Sequence, residues 1–370
     1  MSPLLDQITA DLDRLAALEP SRFPFVSLYL DLQPDQHGRD HFDAFVRKEL
    51  GERLRTFEVG GTERASLDAD CEKIRRFLDG IDPAANGLAL FACSGRDFFE
   101  GLQLPAPIAE NRLCISDRPH LYPLARLIDE YPRFAVLRAD THVSRIFVVA
   151  VNAIEHRRQM EGPKTKRHKM GGWSQARYQR HVENYHRQHV KEVVEALGQI
   201  VRADRIASIV IAGDEVVVPM VKAALPKDLA DRVVDIIRVD EYASERELLT
   251  ATLEAMREKD RQTDRERVEA LIDAYRAGGL AVAGVEATRR ALAQGQVDEL
   301  LIAASTRTIK PGEEAPVRTS GPAVAPTPEE RVADELVSEA RRTAAGVRFI
   351  EAPSLMAPIG GAGAFLRFRL

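Results

Sequence analysis

Two glycines and a glutamine, preceded by a basic loop, carry the most distinctive chemistry in this sequence. Gly171 and Gly172 lack a Cβ atom and let the backbone approach another molecule closely. Gln175 offers an amide that can hold a water and face a developing charge. A flexible hinge is the alternative explanation of the glycine pair, and capping of a first helical turn is the alternative for the glutamine, so both alternatives stay open. The cations of the loop are Lys164, Lys166, Arg167 and Lys169.

The charge of this region sets it apart from the rest of the chain. Residues 156–191 contain ten Lys and Arg against two acids, which is +8, whereas the whole chain is −5 and the remainder therefore −13. A cationic segment on an acidic body is typical of a polyanion-binding site, with RNA the leading candidate and DNA not expected. Trp173 is the only tryptophan and either stacks on a base or packs against its own helix. Further expected phosphate contacts are Arg177 and Arg180.

The elements that must position these residues are two strands and a long helix. Branched residues at 134–137 and 145–151 predict β-strands, and about twenty residues without periodicity follow them. From Val182 an apolar stripe at three- and four-residue steps predicts an amphipathic helix. Its members are Val190, Val193, Val194, Leu197, Ile200 and Val201.

The predicted fold class is α/β, with three α/β domains. We expect an N-terminal domain at 1–130, a central domain at 131–275 that presents the glycine loop and the long helix, and a C-terminal domain at 276–370. Strands separated by helices predict a largely parallel sheet in the central domain. Five prolines make 310–328 a mobile insert of the third domain. Gly360-Gly361-Ala362-Gly363 lacks the spacing of a nucleotide-binding loop and predicts a tight turn.

Several classes of protein are excluded by what the sequence lacks. It shows no secretory signal and no apolar run of the roughly 20 residues that cross a bilayer, so we expect a cytoplasmic protein without a membrane partner. Three widely spaced cysteines predict neither disulfides nor a zinc site. His181, His186 and His189 lack the four-residue step of helical metal ligands, and His168 stays an open candidate. No metal or cofactor is predicted, and the remaining histidines, His37, His41 and His120, are expected at surface or cap positions.

A family resemblance adds to this interpretation. The run Gly171-Gly172-Trp173-Ser174-Gln175-Ala176-Arg177-Tyr178 before a long basic helix resembles the central domain of the eukaryotic and archaeal class-one peptide release factors, where a Gly-Gly-Gln loop opens a similar helix. The stretches 284–292, 297–302 and 360–368 resemble that family's C-terminal domain, an α/β sandwich shared with kink-turn-binding ribosomal proteins. The N-terminal third contains no Asn-Ile-Lys-Ser motif for reading stop codons.

The resemblance implies a tRNA mimic that enters the ribosomal A site and brings residues 164–175 to the peptidyl-transferase centre. There Gly171, Gly172 and Gln175 would hydrolyse the peptidyl-tRNA ester on stalled ribosomes or large subunits, independently of the codon. Trp173 stands where the release factors have glutamine, a displacement similar to bacterial relatives of the Vms/Ankzf-type peptidyl-tRNA hydrolases. Another bacterial branch, the Balon-type hibernation factors, makes a non-catalytic ribosome-protecting role the alternative. A ribonuclease acting on the tRNA acceptor end is a second alternative, and a translational GTPase is a further implied partner beside rRNA and peptidyl-tRNA.

Overall fold

The computed structural model describes residues 4–34, 42–140, 143–161, 173–240, 243–310 and 326–369, and for 173–183 it describes the helical backbone but not the side chains. Contacts group the chain into two compact units, Met1–Tyr131 with Arg261–Leu370, and Pro132–Asp260. The division into domains at 1–130, 131–275 and 276–370 stays a prediction. Among the described helices, none combines the length and apolar character needed to span a bilayer.

The N-terminal part of the first unit is built on an antiparallel sheet of order β3-β2-β1-β4. Its two central strands are buried along almost their whole length, since helices α2 and α3 cover one face through Val46, Leu50 and Leu67. The elements are α1 (Leu4–Ala16), β1 (Phe25–Asp31), α2 (Phe42–Leu54), α3 (Thr62–Leu78), β2 (Gly87–Cys93), β3 (Phe98–Leu104), β4 (Arg112–Ser116) and α4 (Tyr122–Glu130).

The second unit contains a mixed sheet of order β7-β6-β5-β8-β9. The strands β5, β8 and β9 are parallel, while β6 and β7 run antiparallel to their neighbours. The expectation of a largely parallel sheet is therefore wrong for β6 and β7. These two strands form an antiparallel hairpin, where the sequence predicted one strand followed by a loop. The elements are β5 (Phe134–Arg138), β6 (Val143–Ala150), β7 (Ala153–Glu161), α5 (Trp173–Ala203), β8 (Ser208–Ala212), α6 (Val217–Ala224), α7 (Lys227–Ala230), β9 (Val233–Ile237) and α8 (Glu245–Arg276).

Two apolar clusters cover the two faces of this sheet. One joins Leu137 and Ile146 to the buried stripe of α5, and the other joins Phe134 and Phe147 to Leu248 of α8. The boundary between the two units falls within α8, whose later residues, such as Leu271, belong to the first unit.

The C-terminal part of the first unit is a sheet of order β10-β13-β11-β12, in which only β11 and β12 are parallel among its described pairs. Helix α10 starts with a capping box, since Thr327 and Glu330 each accept a hydrogen bond from the other's backbone N–H. The elements are β10 (Ala281–Ala283), α9 (Val285–Ala293), β11 (Val297–Ala303), α10 (Pro328–Arg342), β12 (Gly346–Ile350), α11 (Pro353–Met356) and β13 (Ala362–Leu366).

Polar contacts join the N-terminal and C-terminal parts within the first unit. Asp334 of α10 accepts hydrogen bonds from the backbone N–H groups of Leu121 and Tyr122, both at 2.9 Å. The second oxygen of Asp334 lies 2.5 Å from Nδ1 of His120, which is 1% exposed. The expectation of a surface position for His120 is therefore wrong, because a carboxylate from a distant segment satisfies the buried ring.

The three cysteines are free and buried. Burial raises the pKa of the Cys71 thiol to about 11 and raises the pKa values of Cys93 and Cys114 as well. A buried thiol that stays protonated is neither a good nucleophile nor a metal ligand.

Candidate nucleic-acid interface

Helix α5 is the element that positions the predicted site. It has 31 residues, which corresponds to about 46 Å of helix. Its apolar stripe is buried from Val190 to Val201, as the spacing predicts, whereas Asn184 to Gln188 are exposed or half-buried. The C-terminal half of α5 is therefore anchored on the sheet, and the described residues ahead of His189 contribute nothing to the core.

The start of α5 differs from the sequence-based expectation. The helix begins at Trp173, nine residues before the apolar stripe predicts it. Gln175, expected in the loop, therefore lies in the first helical turn. Arg177 and Arg180 follow in the next turns; side chains are not described this early in the helix. The remaining predicted site residues lie outside the described part of the chain, namely Lys164, Lys166, Arg167, Lys169, Gly171 and Gly172.

Helical geometry places these positions on two different sides of α5. Positions 173, 177 and 180 follow steps of four and three residues, which keep positions on one side of a helix. Position 175 is two residues from 173, about 200° around the axis, and falls on the other side. Position 175, which is expected to hold a water, therefore lies on a different side of the helix from positions 177 and 180, which are expected to contact phosphates.

A buried polar contact fixes α5 against the sheet where its packed half begins. His189 is 2% exposed, and its Nε2 lies 3.2 Å from the hydroxyl of Ser144 at the start of β6. The same hydroxyl donates to the carbonyl of Asp140 at 3.1 Å. His189 thus has a structural role, and among the described residues no group of three or more metal-ligating side chains occurs.

Strand β7 adds a basic edge that the sequence analysis missed. His156, Arg157 and Arg158 are exposed on this outer strand, which ends three residues before Lys164. Arg157 forms an ion pair of 2.8 Å with Glu245 at the start of α8. The strand carries little local signal, because Ile154 is its one branched residue and the turn at Val151-Asn152 that precedes it contains no glycine.

A second polar cluster lies in the N-terminal part of the first unit, around Asp70. This carboxylate is fully buried, and one oxygen accepts hydrogen bonds from Ser94, at 2.8 Å from the backbone N–H and 2.6 Å from the hydroxyl. Burial raises the pKa of Asp70 to about 6, while the two hydrogen bonds oppose the shift. The cluster fixes the exposed turn 94–97, and Gly95 there lies against the ring of Phe23.

A known family model matches part of the chain. Residues 119–257 match the family model described as bacterial archaeo-eukaryotic release factor family 10. No protein with curated annotation matches the chain.

Solved structures with similarity over most of the chain include archaeal termination and Pelota proteins. The archaeal translation termination factor aRF1 is 17% identical, with 98% of this chain and 97% of that chain covered and a TM-score of 0.27. Archaeoglobus fulgidus Pelota is 14% identical, with coverages of 76% and 79% and a TM-score of 0.35. An archaeal Pelota described in a ribosome-bound model with ABCE1 is 13% identical, with coverages of 99% and 94% and a TM-score of 0.43.

Proposed function

Residues 119–257 belong to the bacterial archaeo-eukaryotic release factor family, and from this premise we propose that the chain is a ribosome-associated factor that hydrolyses peptidyl-tRNA. The reaction is attack of water on the ester that joins the nascent peptide to the tRNA, and it yields free peptide and intact tRNA. Codon independence is part of the proposal, because the N-terminal third lacks a stop-codon-reading motif.

The observation that carries the proposal is the position of Gln175. It lies in the first turn of α5, three residues after Gly172, at the end of a helix whose other half is anchored in a core. The first backbone N–H groups of a helix have no partner within the helix, and the helix dipole adds a partial positive charge there. A water held by Gln175 and an oxyanion facing these N–H groups would have the polar surroundings that ester hydrolysis requires.

The energetics fit a protein that positions the reactants and contributes no nucleophile of its own. Correct placement of a reactant contributes about 7–11 kcal/mol to a reaction of this type, and one aligned donor about 3–4 kcal/mol. The peptidyl-transferase centre is itself an RNA active site, so the protein has to deliver only a narrow probe. Gly171 and Gly172, which have no side chains, suit the tip of such a probe.

Binding to ribosomal RNA is supported by the charge of the same region. The +8 segment 156–191 includes the described basic edge of β7 and the exposed side of α5. We assign Lys164, Lys166, Arg167, Lys169, Arg177 and Arg180 to phosphate contacts and Trp173 to stacking on a base. The site proposed for the protein is the A site, with large-subunit rRNA and peptidyl-tRNA as its partners in the cytoplasm. A translational GTPase as delivery partner rests on the sequence resemblance alone.

A non-catalytic role as a hibernation factor is the second candidate. The observation that favours it is the displacement of the glutamine by Trp173, which moves the amide into the helix instead of the loop. In this role the same residues would fill the peptidyl-transferase centre and protect it.

The deciding experiment is incubation of the purified chain with stalled ribosomes that carry labelled peptidyl-tRNA. We expect the wild type to release peptide and Gln175→Ala to release it about 10²- to 10³-fold more slowly, the loss typical of a removed catalytic donor. Gly172→Ala should also be impaired. Gln188→Ala is the matched control, because Gln188 is an exposed glutamine of the same helix that hydrogen-bonds only Glu192 among its described neighbours.

Each outcome separates the candidates. Release that is equal in Gln175→Ala and wild type contradicts the catalytic role of Gln175. Stable binding without release, unchanged by Gln175→Ala, supports the hibernation role. Peptide that remains attached to a shortened tRNA identifies a nuclease and overturns both.

A further inference from the structure

One side of α5 carries a row of basic positions that continues well beyond the proposed tip. The row occupies positions that recur at steps of four and three residues and therefore share one side of the helix. None of its members is acidic. They are Trp173, Arg177, Arg180, Asn184, Arg187 and Lys191. We call this row the α5 flank. It lies about 120° around the helix from the apolar stripe that packs on the sheet.

The described end of the α5 flank is free to bind a ligand. Asn184, Arg187 and Lys191 are exposed, and neither Arg187 nor Lys191 takes part in an ion pair or hydrogen bond within the described part of the chain. Arg202, further along the same side, is by contrast neutralised by Asp228 at 3.1 Å. The two cations thus hold their charge toward solvent, four residues apart on one side of the helix.

The row of cations ends where a groove begins. Beyond Lys191, α5 and the corner between α6 and α7 enclose a cavity of about 220 Å³, whose far wall is formed by Pro226 and Leu229. In this groove the charge of Arg202 is balanced by Asp228. Among the described residues of the α5 flank, the cations without an ion-pair partner are therefore Arg187 and Lys191, which lie one turn apart.

The distribution of charge on α5 differs from that of an ordinary exposed helix. Residues 254–267 of α8 alternate between acids and bases, the pattern expected of a solvated helix face. Along the α5 flank all four charged positions between 173 and 191 are basic. A one-signed row that leads away from a nucleic-acid site is the pattern of a track for a phosphate backbone.

We propose that the α5 flank binds a run of RNA phosphates and that Arg187 and Lys191 are phosphate-binding residues in addition to those at the tip. This inference rests on the proposed function, because ribosomal RNA is the polyanion that the tip would meet. The flank supplies affinity without sequence preference, and it leaves the reacting groups to residues 171–175.

The test measures the salt dependence of binding to purified large ribosomal subunits. The full chain is compared with the double variant Arg187→Gln/Lys191→Gln by co-sedimentation between 50 and 200 mM salt. Each lost phosphate contact lowers the slope of log affinity against log salt by about 0.7–0.9, so the double variant should lose about 1.5. The matched control is Lys222→Gln/Lys227→Gln, which removes two exposed cations, without described partners, from α6 and α7.

The possible results distinguish this inference from the proposed function. A wild-type slope in the double variant, with peptide release intact, overturns the phosphate track and leaves the proposed function standing. If the slope falls equally in the double variant and in the control, the effect is one of net charge alone, and the phosphate track is also overturned. Weaker binding with an unchanged slope indicates a protein or other uncharged contact and likewise contradicts it. A wild type that does not bind ribosomes at any salt concentration contradicts the proposed function itself.

Discussion

At the scale of single residues, the buried carboxylate of Asp70 makes the stability of the first unit depend on pH. It is fully buried beside Ser94, and its second oxygen has no hydrogen-bond partner within the described chain. Burial raises its pKa from the model-peptide value of 3.8 to about 6. A carboxyl group that ionises more readily in the unfolded chain than in the folded one lowers stability as the pH rises through this interval.

We therefore expect Asp70→Asn to change the pH dependence of the first unit. Below about pH 4 the carboxyl is protonated in both states and adds no pH dependence. Between pH 4 and 6 the unfolded chain loses the proton first, so the wild type should lose on the order of 3 kcal/mol that the variant keeps. The measurement is hydrogen exchange of the β1 and β2 amides at pH 4.5 and 7, corrected for intrinsic rates. A difference between wild type and variant that is the same at both pH values would contradict this explanation.

The family resemblance was the part most open to prediction from single residues. The Gly171–Tyr178 run indicated the release factor family, and the match of residues 119–257 confirms it. The burial of His120 could not be predicted, because its partner, Asp334, lies more than 200 residues further along the chain. The periodicity of apolar residues indicates which face of a helix or strand is buried. It does not indicate which distant carboxylate will pair with a buried polar side chain such as that of His120.

At the scale of elements, local signals predicted boundaries well where they were strong. Strands β5 and β6 lie where branched residues at 134–137 and 145–151 predicted them, with bounds that differ by at most two residues. Strand β7 was missed because its turn lacks glycine. Val151 and Asn152 adopt φ values of 48° and 61°, and a buried valine rarely takes such a conformation. The tertiary packing of the Val151 side chain outweighs its local preference.

The Gly360-Gly361 turn gives an element-scale prediction. It leads into β13 from a short helical stretch, and both glycines have positive φ. A Cβ on Gly361 would lie 2.6 Å from the backbone at Thr308 and Ile309, whereas Gly295 has positive φ but open space around it. Gly361→Ala should therefore cost more than about 3 kcal/mol and Gly295→Ala only about 1 kcal/mol.

Urea unfolding followed by circular dichroism measures both variants. Tryptophan fluorescence is unsuitable, because the single tryptophan, Trp173, belongs to the second unit. Equal losses of stability in Gly361→Ala and Gly295→Ala would show that backbone strain, rather than the close approach of residues 308–309, governs the turn.

At the scale of the whole molecule, the first unit is made of two segments far apart in sequence. Tyr122 of α4 donates a hydrogen bond to the carbonyl of Ala303, and Asp129 accepts one from the backbone of Phe349. Arg112 of β4 pairs with Glu330 of α10. Sequence reasoning placed an N-terminal and a C-terminal domain at the ends of the chain, and it had no signal for these contacts.

The contacts of Asp334 predict that the two segments of the first unit unfold together. Asp334→Ala leaves the N–H groups of Leu121 and Tyr122 and the buried ring of His120 without their acceptor, a loss of about 3 kcal/mol. Slow amides of β1 and β11 should lose protection from hydrogen exchange by the same factor, while those of β5 and β8 in the second unit keep theirs. Glu351→Ala is the control, because the exposed pair of Glu351 and Arg126 also joins the two segments but should contribute less than about 1 kcal/mol. Loss of protection in β11 alone would mean that the N-terminal segment folds independently, and an equal loss in β5 would mean that the two units unfold as one.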